Sequence, residues 1–212
     1  MSFDKDEIKI LPKPDYVSWE EITEVIHLAF EEKKEKGMNY LGSYQDVETT
    51  KNRVDNGICL VALLNGKVIG TMTLRIFKPS KRGKRWHNEN MYGYASQDAV
   101  LPEYKGLGVG KKMQEVRIKI CEEKKIDELL MHTSIHAKDV LNWWKKQGAQ
   151  YIELLSSPIT NYYSVRMRLP IAGKKKFNKY YIALRFYLSA IKCIILKNKS
   201  GKSRRFLRLF NI

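Results

Sequence analysis

The sequence predicts an α/β (α+β) chain: a mixed sheet flanked by helices, followed by a basic helical extension. Three observations carry this. Strand-like and helix-like segments follow one another in the order β, α, α, three strands, α, β, α, β, β. Hydrophobic residues make up 43% of the 212 residues and charged residues 29%, the balance of a folded domain. The charge is lopsided. The net charge is +16, but residues 173–212 hold twelve Lys or Arg and no Asp or Glu, which leaves +4 for residues 1–172. We therefore expect a folded domain over 1–172 and a basic amphipathic extension over 173–212.

The elements follow in order. EIKIL (7–11) reads as a short first strand. Ser18 and Glu21 match a capping box. Trp19, Ile22, Ile26 and Phe30 then recur at helical spacing to about Gly37. A second short helix is expected over 46–56. ICLVALL (58–64), Asn65-Gly66 and KVIGTMTLRIF (67–77) form a hairpin signal, because Asn-Gly suits a type I′ turn. KPSKRGKRWH (78–87), with five Lys or Arg, reads as a solvated basic loop. A strand is expected from Met91 to Leu101. A helix follows whose apolar stripe is Val109, Met113, Val116 and Ile120. DELLMHTSI (127–135) reads as a strand, and KDVLNWWKKQG (138–148) as a helix closed by Gly148. QYIELL (150–155) and NYYSVRMRL (161–169) are two more strands. The helices between strands imply parallel pairing near residue 108.

Between the fourth strand and its helix runs VLPEYKGLGVGKKMQE (100–115), with Gly106, Gly108 and Gly110 alternating. A P-loop is excluded, because Lys105 stands where it needs Gly and Lys112 where it needs Ser or Thr. The dinucleotide fingerprint has a different glycine spacing. A glycine turn opening a helix still presents unpaired N–H groups at a positive dipole end, which suits phosphate. Cys59, Cys121 and Cys193 are far apart, with no metal or disulfide spacing. They point to a reducing, cytoplasmic setting. The acidic N-terminus lacks a signal-peptide core, and no uncharged apolar run approaches the ~20 residues of a membrane span.

This element order, with YKGLGVG at 104–110 and WWKKQGA at 143–149, resembles the GNAT superfamily of N-acetyltransferases. The family carries Arg/Gln-x-x-Gly-x-Gly/Ala at the first position and F-Y-E-K-L-G-F at the second. The resemblance covers roughly residues 5–170. It implies a mainly antiparallel twisted sheet. It also implies acetyl-CoA as acyl donor, without a metal, its diphosphate on Lys105, Gly106, Leu107, Gly108, Val109, Gly110 and Lys111. Lys112 is a further phosphate candidate. Asn142 is assigned to the donor as well. A backbone N–H at Val100 or Leu101 is expected to polarise the thioester carbonyl. The acceptor amine would attack directly in a ternary complex.

The chemistry departs from the family at one point. The tyrosine that protonates the leaving thiolate in F-Y-E-K-L-G-F is Trp144 here, and indole cannot do that work. Tyr162 and Tyr163 are the candidate substitutes. Asp98 is the candidate base, on the same strand face as Val100. Its alternative is a structural salt bridge. Glu103 reads as solvated, His136 as a cleft residue and His132 as packed.

The extension alternates basic and apolar residues. On a helix over 177–199, Asn178, Arg185, Ser189, Lys192 and Lys199 form one polar stripe and the remaining arc is apolar. An anionic membrane surface, packing or homodimerisation, and nucleic acid are the three readings. The Ile and Leu content disfavours nucleic acid. The leading function is N-acetyl transfer to a primary amine, with an amino-sugar or cell-envelope intermediate favoured by the tail. A non-catalytic CoA- or partner-binding domain is the second reading, and a basic nucleic-acid-binding protein the third.

Overall fold

The computed structural model describes residues 7–78, 91–157, 160–171, 173 and 178–198. All of the expected basic loop except Lys78 lies outside them, as do residues 199–212. The chain divides into two compact units, Met1–Met131 with Pro170–Lys174, and His132–Leu169 with Lys175–Ile212.

The first unit contains β1 (Lys9–Pro12), α1 (Trp19–Glu35), α2 (Val47–Asn52), β2 (Gly57–Leu64), β3 (Lys67–Phe77), β4 (Tyr92–Val100) and α3 (Val109–Glu123). It also holds the start of β5 (Glu128–Ser134). β1 to β4 pair antiparallel with their chain neighbours. β4 then pairs β5 in parallel, from Tyr92↔Glu128 to Tyr94↔Leu130. The mixed, mainly antiparallel sheet follows from the helix that separates β4 from β5.

Local chemistry sets the boundaries. Ser18 Oγ accepts the Glu21 N–H at 3.0 Å and caps α1. The box is not reciprocal, because Glu21 Oε1 accepts the Val68 N–H at 3.2 Å and ties α1 to β3 instead. Asn65 (φ 50°) and Gly66 (φ 80°) form the expected positive-φ turn. α2 stops at Asn52, short of the expected 56, because the chain must turn at Asn56 (φ 57°) to enter β2. β2 is apolar throughout because both its faces are covered. Cys59, Val61 and Leu63 pack with Ile22, Val25 and Ile26 of α1, while Leu60, Ala62 and Leu64 pack with Val109 and Met113 of α3. Helix, sheet and helix thus make three layers. One irregularity interrupts β4. Ala99 pairs with Thr71 and Ser96 with Thr73, so Gln97 and Asp98 together oppose Met72, and Gln97 takes φ 57°.

The second unit contains α4 (Lys138–Lys146), β6 (Gln150–Ser156), β7 (Tyr163–Pro170) and α5 (Lys179–Asn198). β6 and β7 are antiparallel, and Arg166 donates to Glu153 across the pair. α5 lies along β6. The Leu154 N–H donates to Ser189 Oγ at 2.8 Å, and Cys193 Sγ donates to the Leu154 carbonyl at 3.6 Å. The expected extension thus lends polar groups to a strand edge. Much of its apolar arc points outward. Tyr180 is 72% exposed, Leu184 57%, Tyr187 60% and Ile191 37%. No helix among the described residues is long and apolar enough to cross a membrane.

Cys59, Cys121 and Cys193 are free and buried. Burial pushes the Cys121 thiol up to about 11 and raises Cys59 as well. Both are therefore thiols, not thiolates, at pH 8. A disulfide-exchange reagent at pH 8 should label no cysteine in the native chain and all three after denaturation. One fast thiol in native protein would contradict the packing.

Candidate active site

The turn after β4 leaves backbone donors open at the start of α3. Pro102–Tyr104 form a single 3₁₀ turn. Gly106 (φ 78°) and Gly108 (φ 90°) then reverse the chain into α3. The first intrahelical bond of α3 runs from the Lys112 N–H to the Gly108 carbonyl at 3.0 Å. The N–H groups of Val109, Gly110 and Lys111 precede it and have no helical acceptor. No side chain caps the helix, and its first turn holds no acid. Lys111 and Lys112 sit there instead, the reverse of what the helix dipole prefers.

A Cβ at Gly106 or Gly108 would meet nothing within 4 Å, and one at Gly110 would meet only Val100 Cγ2 at 4.0 Å. Gly106 and Gly108 are required by their φ. Gly110 is helical, and neither conformation nor packing demands glycine there. Lys105 Nζ lies 3.4 Å from Glu32 Oε2 on α1. Lys36, and after it Lys105, hold the Glu32 carboxyl below its ordinary value. Lys111 is 3.9 Å from Glu115 on the exposed face of α3. Leu107 is half-buried, and the Val109 side chain is in the core, so Val109 offers its backbone alone.

Of the two expected carbonyl donors, Leu101 is already used. Its N–H donates to the Ile69 carbonyl at 3.0 Å. Successive N–H groups of a strand point to opposite sides, so that of Val100 points away from β3. β4 runs on from Ala95 to Val100 past its last pair with β5, Tyr94↔Leu130.

Asp98 has a different occupation from the expected base. Its Oδ1 and Oδ2 accept from Arg117 Nη1 and Nη2 at 2.6 and 2.8 Å. Arg117 is fully buried on α3, and its Nε donates to Gln114 Oε1 at 2.9 Å. The Asp98 side chain is 27% exposed. A carboxylate held by both oxygens neutralises a buried cation. The sequence offered a signal for this. Val109, Met113, Arg117 and Cys121 recur every four residues, so Arg117 lies on the stripe that packs against the strand carrying Asp98.

On the opposite face of the sheet, a buried polar chain escaped the sequence reading. Gln97 Nε2 donates to Thr73 Oγ1 at 3.0 Å, and Gln45 Nε2 donates to Gln97 Oε1 at 3.2 Å and to Thr50 Oγ1 at 2.6 Å. Thr23 Oγ1 donates to Thr50 at 2.8 Å, and Arg53 Nη1 donates to Gln45 Oε1. The chain links α1, α2 and the irregular point of β4. The visible signal was polar Thr71, Thr73 and Gln97 inside otherwise apolar strands. An open depression of about 430 Å³ lies at the end of α1, lined by Lys34, Gly37, Met38, Asn39, Ser43 and Tyr44.

The remaining candidates belong to the second unit. Trp144 is buried and meets Trp143 edge-on at 4.8 Å. Tyr162 and Tyr163 are buried, and burial raises the Tyr163 hydroxyl above its ordinary value. Asn142 is exposed on α4. His132 is exposed rather than packed, the single exposed residue of β5. His136 is exposed too, its N–H donating to Ser134 Oγ at 3.1 Å. Glu103 is exposed as expected.

Comparison with known proteins gives this arrangement a family. In Bacillus subtilis strain 168, S-alkylcysteine N-acetyltransferase is 25% identical over 113 residues, covering 52% of this chain and 57% of that protein. Uncharacterised N-acetyltransferase YkwB of the same strain is 31% identical over 85 residues, 34% of this chain and 38% of that protein. The chain thus spans about half or less of the length of these curated relatives. The crystal structure of a GNAT family acetyltransferase from Elizabethkingia anophelis with acetyl-CoA bound matches with a TM-score of 0.56 and 17% identity, covering 79% of this chain and 100% of that one. A GNAT family acetyltransferase from Staphylococcus aureus Mu50 matches with a TM-score of 0.58 and 18% identity, covering 78% and 99%. Both have the same fold. Residues 19–149, from the start of α1 to the residue before β6, match the acetyltransferase (GNAT) family, and the chain belongs to it.

Proposed function

We propose that the chain is an acetyl-CoA-dependent N-acetyltransferase acting on a primary amine. The observation that carries this is Gly110, a glycine that its own fold does not require, beside two that it does. Absence of side chains there lets a diphosphate reach the N–H groups of residues 106–111. Lys111 and Lys112 add positive charge. The Elizabethkingia structure, with acetyl-CoA bound, supports the same donor. The acceptor is a small primary amine. Amino-sugars and other envelope amines belong to that class, as does the S-alkylcysteine named for the Bacillus relative.

Acetyl-CoA supplies the acyl group as a thioester. In the reading proposed, the Val100 N–H faces its carbonyl oxygen and stabilises charge that develops there. The neutral amine attacks the carbonyl carbon, the new N–C bond forms and the C–S bond breaks. The amine's proton leaves to water and the thiolate takes a proton from water, because Asp98 is committed to Arg117 and Trp144 has no acidic group. Asp98 in this reading positions α3 against β4 and does not carry the proton.

A second reading concerns location, and the exposed face of α5 favours it. Tyr180, Leu184, Tyr187, Leu188, Ile191 and Ile195 all point outward, on a segment without a single acid. We infer that this face rests on an anionic membrane surface. Each nearby Lys or Arg contributes on the order of 1 kcal/mol there. A homodimer through the same face is the competing occupant.

Three outcomes check these readings. Gly110→Val is compatible with the helix φ, so the protein should stay folded and lose acetyl-CoA affinity by more than tenfold, roughly. Full affinity in a folded variant would remove the donor assignment. Asp98→Asn should lower stability by about 3 kcal/mol, because it strands a buried guanidinium. In the molecules still folded, kcat should fall less than about tenfold, where loss of a general base costs about 10² to 10⁴. A stable variant with a hundredfold loss, roughly, would restore Asp98 as the base. Finally, the full chain should sediment with phosphatidylglycerol vesicles, less so at high salt, and the double variant Leu184→Asp/Leu188→Asp should not. A dimer that ignores lipid and is broken by the same double variant would assign the face to a second subunit.

A further inference from the structure

Two arginines on the α1 face of the sheet stand without a counterion. Arg53 is the C-cap of α2, and Arg75 lies on β3 opposite Tyr94 of β4. Both are half-buried. Among the described residues neither has a carboxylate within salt-bridge distance. Arg53 donates to the neutral Gln45 amide. The Arg75 guanidinium lies 5.0 Å over the Phe77 ring, which stacks on Tyr92 at 5.2 Å. That aromatic base holds the side chain without neutralising it. Arg75 Nε is buried with no partner. Ser96 Oγ is also buried with no partner, and Ser96 pairs with Thr73, one same-face step along β3 from Arg75.

The arrangement is costly as it stands. A buried donor left unpaired is costly, and more so when it is charged. The two guanidiniums also act on each other. Burial lowers the Arg53 pKa and Arg75 lowers it further, while Tyr94 and Asp98 oppose this. Asp98 cannot serve as the counterion, because both its oxygens are on Arg117. An anion between Arg53 and Arg75 would satisfy both cations and the stranded Nε together.

We propose that Arg53 and Arg75 bind an acidic group, a carboxylate, on the acceptor. The acceptor is then an amine that also carries an acid, an amino acid or a similar molecule. This rests on the acetyltransferase reading and narrows its substrate. The placement suits it. Arg53 reaches Gln97 through Gln45, and Gln97 lies three residues before Val100. Gly70, the β3 partner of Val100, lies five residues from Arg75, about 17 Å along the strand. With the length of an arginine side chain subtracted, that separation fits an amine and an acid several bonds apart. Ser96 adds a neutral hydroxyl beside Arg75.

The test uses the full chain with acetyl-CoA. The probes are the common amino acids and their carboxamides, which differ in the acid alone. The acid-to-amide ratio of kcat/KM is compared between the native chain and each variant, so intrinsic amine reactivity cancels. Arg75→Gln and Arg53→Gln should each lower the ratio at least about tenfold, mainly by raising KM for the acids. Arg75→Lys should restore part of it, since it returns the charge without the fork. The Kd for acetyl-CoA should not move. A ratio unchanged in both Gln variants would overturn the proposal. So would a tenfold loss of acetyl-CoA affinity, roughly, which would give the arginines to the donor's phosphates. If no probe amine turns over, thermal unfolding with N-acetyl amino acids, in the absence of donor, decides. Stabilisation by the acids but not by inorganic phosphate or the amides, lost in Arg75→Gln, would support the site. No acid-specific stabilisation would sink it. Failure of the acetyltransferase reading appears separately, as a chain that does not bind acetyl-CoA.

Discussion

The bond between Arg117 and Asp98 fixes everything at the glycine turn. A fully buried guanidinium is tolerable only with a carboxylate and further acceptors in place, and here Asp98 and Gln114 supply them. The pair ties the third turn of α3 to the irregular point of β4. Everything between those two anchors is a short excursion, from Val100 through Gly108. Its two ends are therefore held relative to each other. A hydrophobic contact in the same position would hold α3 near β4 but would let it slide or rotate. The directional, two-oxygen contact removes both freedoms.

The irregular point of β4 serves both faces. Because two residues oppose Met72, Asp98 turns towards α3 while Gln97 turns towards α1. On one side that recruits an ion pair, on the other an amide chain through Gln45 and Thr50 to Thr23. Consecutive strand residues alternate faces in any case; the extra residue shifts that alternation by one, so that Gln97 joins Ser96 on the Thr73 face and Asp98 falls on the other, and this requires one residue to leave the ordinary β region. Gln97 does so at φ 57°, and its side chain is held by three partners that stabilise the conformation. The polar chain then carries the position of β4 out to α2 and Arg53.

The fold was legible because its elements obey simple periodicities. The apolar run of β2, Asn65-Gly66 and the Ser18 cap each determine their own structure locally. Gly106 and Gly108 were legible for the same reason: their positive φ answers a local demand, which Gly110 does not share. What the sequence hid depended on partners far away in the chain. Arg117 falls on the stripe of Val109, Met113 and Cys121, but only its distant partner Asp98 on β4 makes a buried guanidinium there tolerable. Gln45, Thr50 and Gln97 are polar residues that sit in three separate elements. No spacing links them until the irregular point of β4 exists. Leu101 was misjudged because the alternation of N–H directions depends on register, and register depends on that same point.

The extension meets the sheet through part of its polar stripe. A stripe through Arg185, Ser189 and Lys192 beside an apolar arc leaves a membrane surface, packing and a dimer all open. Ser189 answers an open backbone N–H on β6, at Leu154, and the hydrogen bond outweighs the gain from burying one more aliphatic side chain there. The edge of a sheet must be covered by something that can accept or donate, and leucine can do neither. The helix therefore turns Ser189 and Cys193 inward. The tyrosines, leucines and isoleucines left outside are then not a packing failure. They are the consequence of satisfying the strand, and they leave an apolar face on a segment whose charges are all positive.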